Sequence, residues 1–351
     1  MKQTLGERAL NNGGKLTPLL IDEKLTGGLG LCNPSIYMDN DEIIMNIRNV
    51  SYTLHHCEGD MKFQTRWGPL NYVRPDTDAT LRTTNFFYKN EQYYKVDTGE
   101  FDKNPIWEFI GLEDARIVRW EGRLYYCGCR RDVKSDGESR MEMSEIKFEG
   151  NTVREISRLR LPSPDENSYC EKNWMPILDM PYHFVKWTSP TEVVKIDPTP
   201  IKKYNQELKT DLTWAKSVKV IHSGSKLLEG TEPRGSSQVI TIGDYRMAVT
   251  HDCYNWYNEK EDRDAEYFHR FIVWDKEWNV VKFSEPWKFM NGKIEFCCGM
   301  VKDGKDILLT FGYQDNSAFL LRIPYSLVKT ILNTVHNTST PTFVSFEEEG
   351  I

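Results

Sequence analysis

The chain has 351 residues, 39% of them hydrophobic and 28% charged. That balance fits a globular protein and excludes a disordered one. Lys and Arg number 45 against 52 Asp and Glu, a net charge of −7, which argues against a nucleic acid duplex as partner. No run approaches the ~20 apolar residues that span a bilayer. The start, Met1 to Arg8, lacks the apolar core of a secretory signal. A cytoplasmic protein without membrane contact is expected. The eight cysteines show no paired knuckle spacing, so free thiols are expected and zinc is not.

Residues 1–30 read as an irregular lead-in. From there on the pattern is β. Short runs of Val, Ile, Tyr, Phe and Trp are broken by Gly, Asn and Asp turns, as in Glu42–Ile47, Arg123–Cys127 and Asp306–Phe311. Five segments share one plan: a polar or small start, a strand, a tight turn and a second strand. The first runs from Asn33 to Arg48, and residues 60–105 read as a long polar insertion after it. The second runs from Glu113-Asp114 to Arg130. The third runs from Asn173 to Lys186, the fourth from Gly235-Ser236 to His251, and the fifth from Cys297 to Gly312. A shorter insertion is read at 256–266. The starts lie roughly 60–80 residues apart. With insertions counted, that spacing predicts an all-β, five-bladed β-propeller over residues 31–325. The competing fold is a β-sandwich. Leu327, Val328, Ile331, Leu332 and Val335 sit at helical spacing, so 326–351 reads as a short C-terminal helix and tail.

In such a fold equivalent positions converge on one axis. The segment starts supply Asn33, Asp114, Asn173 and Ser236. The ends supply Arg48, Arg130, Lys186 and His251. Converging cations in an acidic protein call for a bound anion, most simply phosphate or a sugar phosphate. The competing reading is that each cation pairs with a local carboxylate such as Asp114, Asp252 or Asp315. Asp114, in Gly111-Leu112-Glu113-Asp114-Ala115-Arg116, is the candidate acid: a carboxyl in a partly dry pocket can hold a proton and deliver it. A phosphate nucleophile needs no base, so one acid and a basic pocket suffice. Hydrolysis would need a second carboxylate, for which Glu232, Asp252 and Glu295 are candidates. Trp174, Tyr254, Trp256, Tyr257 and Tyr313 offer rings for sugar faces or, equally, for packing.

Taken together, these motifs resemble glycoside hydrolase family 130, the five-bladed propellers of the β-mannoside phosphorylases, and the related mannosyltransferase-like proteins. The matching stretches are Asn33-Pro34-Ser35 with Arg48; Gly111 to Arg116; Lys172-Asn173-Trp174-Met175-Pro176; Arg234-Gly235-Ser236-Ser237 with Thr250-His251-Asp252; and Phe311-Gly312-Tyr313-Gln314-Asp315. The resemblance spans residues 30 to 320. It implies inverting β-mannosyl transfer between phosphate and a sugar acceptor, with Asp114 as general acid acting through a sugar hydroxyl. Asn33, Arg48 and Asp315 would hold the sugar, with Asn173 and Tyr254 beside them. Lys172, Lys186, Arg234 and His251 would hold phosphate. Lysines stand at two positions where the family's phosphorylases usually carry arginine. No cofactor or metal is implied; phosphate or a sugar phosphate is the co-substrate. A glycosyltransferase using a sugar-phosphate or nucleotide-sugar donor is the alternative, as is a non-catalytic saccharide-binding propeller. Aromatics of the insertion, among them Trp67, Tyr72, Phe86, Phe87 and Tyr88, could shape an acceptor site or a homo-oligomer interface.

Overall fold

A computed structural model describes residues 3–27, 30–56, 63–65, 68–73, 81–226, 232–257 and 263–333; the side chains of 53–80 and 255–264 lie outside the description. The protein is all-β with short helices. Five antiparallel meanders follow one another. The first comprises Gly30–Asp39, Glu42–Val50, Leu81–Lys89 and Gln92–Asp97. The second comprises Glu113–Trp120, Arg123–Arg130, Arg140–Glu149 and Thr152–Arg160. The third comprises Met175–Pro176, His183–Thr188, Thr191–Asn205 and Thr210–Ser223. The fourth comprises Ile240–Ile242, Tyr245–Tyr257, Arg263–Trp274 and Val280–Phe283, with Arg234–Gly235 also on its second strand. The fifth comprises Glu295–Asp303, Asp306–Tyr313 and Ser317–Pro324, completed by Lys15–Leu19 from the start of the chain.

Two expectations are corrected here. The lead-in is not irregular. Helix Leu5–Asn11 opens on a capping box, with Thr4 and Glu7 satisfying each other's backbone N–H groups, and Lys15–Leu19 pairs with Ser317–Pro324. The stretch read as the 60–105 insertion also carries the third and fourth strands of the first meander. Phe86 and Phe87 are fully buried there, so they build core and shape no acceptor site. Trp67 lies outside the described residues, as does the side chain of Tyr72.

The core lies between neighbouring meanders. Ile44 and Phe87 of the first pack with Ile117 and Tyr126 of the second. Val118 and Trp120 meet Phe184 and Val194 of the third. Val185 and Val193 meet Ala248 and Ile272 of the fourth. Val249 and Phe271 meet Leu309 and Phe311 of the fifth, and Val301 and Leu308 return to Ile36 and Ile47 of the first. The inner strands of each meander are thus packed against a neighbour, while the outer hairpin Thr191–Asn205 and Thr210–Ser223 stays largely exposed beyond its start. Helix Tyr325–Asn333 buries Leu327, Val328, Ile331 and Leu332 against the fourth and fifth meanders.

Polar links follow the same order. Ser35 Oγ donates to Ala115 O at 2.8 Å, Trp120 Nε1 to Ile177 O at 3.0 Å, and Ile177 bridges Val239. Thr310 Oγ1 donates to Pro34 O at 2.6 Å. Gln238, fully buried, joins three meanders to its own: its Nε2 donates to Ile36 O and Ile117 O, and its Oε1 accepts from Met300 N. The links run from each meander to the next and from the fifth back to the first. No helix among the described residues is long and apolar enough to cross a membrane.

Candidate active site

The site is built on a repeated backbone irregularity. Pairing of the first two strands slips by a bulge at Cys32/Ser35 in the first meander and at Glu113/Arg116 in the second. Within these bulges Asn33 has φ 44° and Asp114 φ 49°; Asn173, at the start of the third meander, has φ 62°. Asn and Asp tolerate this left-handed region better than other side-chain-bearing residues. The chemistry of the starts thus follows from the backbone they must adopt, and the bulge re-aims each side chain out of the strand's own alternation.

Asn33 Nδ2 donates to Asp114 Oδ1 at 2.7 Å. Arg48 Nη1 donates to the same oxygen at 2.8 Å. Among the described residues Asp114 Oδ2 has no hydrogen-bond partner, and the side chain keeps 22% of its exposure, so Oδ2 is the oxygen a ligand would meet. Arg48 is held on every arm: Nε donates to Thr83 Oγ1 at 3.0 Å, Nη2 donates to the Tyr52 hydroxyl at 2.8 Å, and Glu113 lies 3.8 Å away. Arg116, 1% exposed, donates to Ser236 O (2.7 Å), to Asp114 O (2.5 Å) and to Asn173 Oδ1 (3.4 Å), with its guanidinium over the Phe296 ring. His251 Nδ1 sits 3.1 Å from Gly235 O and 3.2 Å from Ser236 Oγ. The carbonyl can only accept, so Nδ1 carries the proton and Nε2 is left as an acceptor. The ring stacks on Tyr267 and meets Phe296 edge-on.

The charges explain the titration. Burial pushes the Asp114 carboxyl up, but Arg48, Arg116, the Asn33 hydrogen bond and Lys172 outweigh it, and its pKa is lowered. Asp114 is therefore ionised at rest, not protonated as its partly dry setting suggested; the neighbouring guanidinium groups are the reason. Glu113 moves the other way. Burial raises it, and the adjacent Asp114 charge adds to this against Arg48. His251 is held well below its usual range by burial first, then by His269, Lys172, Arg234 and Arg116. Lys172 and Arg116 thus bear on both Asp114 and His251. Asp315 bears on Cys32, Tyr52 and Tyr267.

The structure thus brings Asn33, Arg48, Asp114, Lys172, Asn173, Arg234, His251 and Asp315 to one place. Three other residues named from the sequence are used elsewhere. Lys186 is ion-paired with Glu192 at 3.3 Å and Glu171 at 3.6 Å. Arg130 is bonded to Asp132 at 2.5 Å within a buried cluster that includes Glu142. Tyr254 is 40% exposed and packs on Phe268; strand alternation sets it with Asp252 on the face opposite His251 and Cys253. The ring of four cations is therefore not left unpaired: Arg48, Arg130 and Lys186 have carboxylate partners and His251 is neutral. Among the described residues, the cations here without a carboxylate in ion-pair reach are Arg116, Lys172 and Arg234, two of them exposed. Cations so placed favour an anion.

Of the candidate second carboxylates, Asp252 pairs with Arg270 at 2.6 Å. Glu295 accepts from the backbone N–H groups of Phe289, Met290 and Gly292, and Glu232 is exposed. Arg116, Tyr52, Tyr267 and Phe296 were missed from sequence. Arg116 had a signal, since it lies two residues past Asp114 in the same motif. The others come from strands whose register only the fold supplies. The seven described cysteines are free, and Cys57 lies outside the described residues. Among the described residues no group of His, Cys, Asp or Glu is gathered as for a metal ion.

Two consequences can be measured. A Cβ at Gly312 would stand 2.2 Å from Asn33 Oδ1 and 2.5 Å from Asn33 N. Gly312→Ala is expected to push Asn33 off Asp114 and to cost about 1–3 kcal/mol as overpacking, read by urea denaturation; unchanged stability would contradict the packing. Separately, burial and then Lys288 bring His269 down to about 3, so His251 and His269 stay neutral while their unfolded forms take up protons near pH 6.5. Proton uptake by the unfolded chain alone makes stability fall with pH below that value. Each histidine adds at most about 1.4 kcal/mol per pH unit. His269→Phe is expected to flatten stability against pH between 7 and 5 by about that amount, and an unaltered slope would contradict a neutral buried His269.

No family model matches the chain, and no curated protein matches it by sequence. Similar solved structures include a β-1,2-mannobiose phosphorylase from Listeria innocua in complex with β-1,2-mannobiose, at 11% identity and TM-score 0.48 over 88% of this chain and 93% of that one. A mannose phosphorylase from Leishmania mexicana in complex with a phosphate ion is similar at 11% identity and TM-score 0.48, over 96% and 97%. A GDP-Man-dependent mannosyltransferase from Leishmania mexicana is similar at 10% identity and TM-score 0.47, over 94% of each chain. What the site can do follows from its own side chains.

Proposed function

We propose that the five meanders are the blades of a five-bladed propeller and that Asp114 lies in a site for inverting glycosyl transfer between phosphate and a sugar acceptor. The observation that carries this is the sharing of neighbours. A carboxylate with one free oxygen adjoins Lys172 and Arg116, and these, with Arg234, are the cations that surround His251. Phosphate settling among Lys172, Arg116 and Arg234 would offset two of the charges that depress Asp114, those of Arg116 and Lys172, while Arg48 keeps its hold on Oδ1. With those two offset, burial weighs more and the carboxyl takes up a proton at Oδ2 more readily. The proton passes through a sugar hydroxyl to the glycosidic oxygen. A phosphate oxygen attacks the anomeric carbon from the opposite face as the bond to the leaving oxygen breaks. Products are the free acceptor sugar and a sugar 1-phosphate of inverted configuration. Run backwards, the same atoms make a glycoside from a sugar 1-phosphate.

Asn33 and Arg48 fix Asp114 Oδ1 and so hold Oδ2 outward. Asn173 and Asp315 are the polar groups proposed to meet sugar hydroxyls, and His251 Nε2 can accept from a phosphate hydroxyl. Mannose is the sugar the sequence motifs suggest. The test is to incubate the protein with a β-linked mannobiose and inorganic phosphate and to follow the products by proton NMR. α-Mannose 1-phosphate is expected. Free mannose alone, formed equally without phosphate, would overturn the reading in favour of hydrolysis, and tight sugar binding without any turnover would leave a binding module.

A further inference from the structure

A cavity of about 620 Å³ lies away from the residues around Asp114. It opens between the second and third meanders, and its volume is within the roughly 300–1,000 Å³ of small-molecule sites. The pairing of Thr191–Asn205 with Thr210–Ser223 slips between Asp197 and Pro200, and the bulged Pro198-Thr199-Pro200 lines the cavity. Where the two meanders rejoin, Arg160 bridges Trp214 and lies over its ring.

The lining mixes apolar and polar groups. Met143, Leu159 and Pro200 give apolar surface. Beside them the Tyr182 hydroxyl donates to Glu121 at 2.9 Å, Arg123 lies 3.7 Å from Glu145, Arg158 is held by Glu155 and Asp102, and Lys202 Nζ donates to Thr213 Oγ1 at 2.7 Å. Glu121 and Lys202, which have no ion-pair partner among the described residues, are of opposite sign, so the lining offers a charged ligand little net charge. A neutral polyhydroxyl ligand could bond to the remaining lone pairs and N–H groups while laying its C–H face on the Tyr182 ring.

Tyr182 is the second observation. It lies at φ 62°, in a turn closed by His183 N donating to Met180 O. Glycine is the residue this turn position favours, and a side chain there costs roughly 1–2 kcal/mol. The cost is borne by an aromatic residue whose ring lines the cavity and leans on Trp120.

We infer that this cavity is a second saccharide site, taking a short uncharged oligosaccharide on the Tyr182 ring, apart from the Asp114 centre. The test is a mannotriose titration of protein labelled at its methionine methyl groups. Met143 lines the cavity, and Met175 lies against Gly235 beside Asn173, so the two report on separate places. The Met143 signal is expected to shift saturably in the wild type and in Asp114→Asn. In Tyr182→Gly, which relaxes the turn and removes the ring, its binding should weaken at least tenfold while turnover persists. A Met143 signal that stays still, whether or not Met175 responds, would overturn the second site. So would an unchanged titration in a folded Tyr182→Gly protein. A silent Met175 beside a responding Met143 would count against the proposed function and leave the second site standing.

Discussion

Asp114→Asn is expected to lower turnover by about 10²- to 10⁴-fold, the range a positioned acid supplies, while the protein stays folded. Asparagine suits the left-handed backbone of position 114 as well as aspartate does. Its amide oxygen can still accept from Asn33 and Arg48. What is lost is a group that takes up and gives back a proton. Part of the Arg48 charge balance is lost too, but the Thr83, Tyr52 and Glu113 contacts remain. A cooperative melt like the wild type's, together with absent turnover, is the expected pair of results. Undiminished turnover would remove Asp114 from the mechanism.

The second large effect is on stability and titration together. Arg48 is 4% exposed and ties Asp114, Glu113, Tyr52 and Thr83. Removing one partner of a buried ion pair leaves the other uncompensated, at about 3–5 kcal/mol. Arg48→Ala is expected to lose that much by urea denaturation at neutral pH. Without the guanidinium, burial dominates at Asp114 and its pKa rises. The sign follows: a lowered carboxyl contributes stability above its unfolded value, near 3.9, and loses it as pH falls through the folded value. In Arg48→Ala that contribution is gone or reversed, so the gap from the wild type should narrow as pH falls through and below about 4. A gap constant with pH would mean that Arg48 does not set the charge state of Asp114.

Much of the site could be read from sequence because it rests on a local rule. Asn33 and Asp114 occupy equivalent bulged starts and Asn173 a third start with the same left-handed backbone, and only a few residue types tolerate it, so the repeat shows in the residues themselves. Arg48 and His251 followed from hairpin geometry, as strand ends facing strand starts. Lys186 and Arg130 obeyed the same geometry but are paired with carboxylates, those of Lys186 from outside its hairpin and the nearest one of Arg130, Asp132, two residues on. Glu171 precedes the third meander, Glu192 lies one strand on, and the acids around Arg130 gather from several parts of the second meander. Ion pairing across a fold leaves no periodic trace. Tyr254 was an error of parity, since three positions past His251 is the opposite face of the strand. The Thr4-to-Glu7 capping box stood in plain view. The pairing of Lys15–Leu19 with a strand some 300 residues later did not, nor did the strands at 81–97, whose Thr and Asn residues face a packed interior. Gln238 gave no signal at all: a glutamine joining three meanders looks like any other glutamine.

Asp114 and the cations beside it are proposed to form a single glycosyl–phosphate centre. The most direct measurement is phosphate release from α-mannose 1-phosphate with a panel of sugar acceptors, wild type beside Asp114→Asn. Release by the wild type with at least one acceptor, and none by the variant, is the expected result. Equal release by both proteins, or none by the wild type with any acceptor, would contradict it.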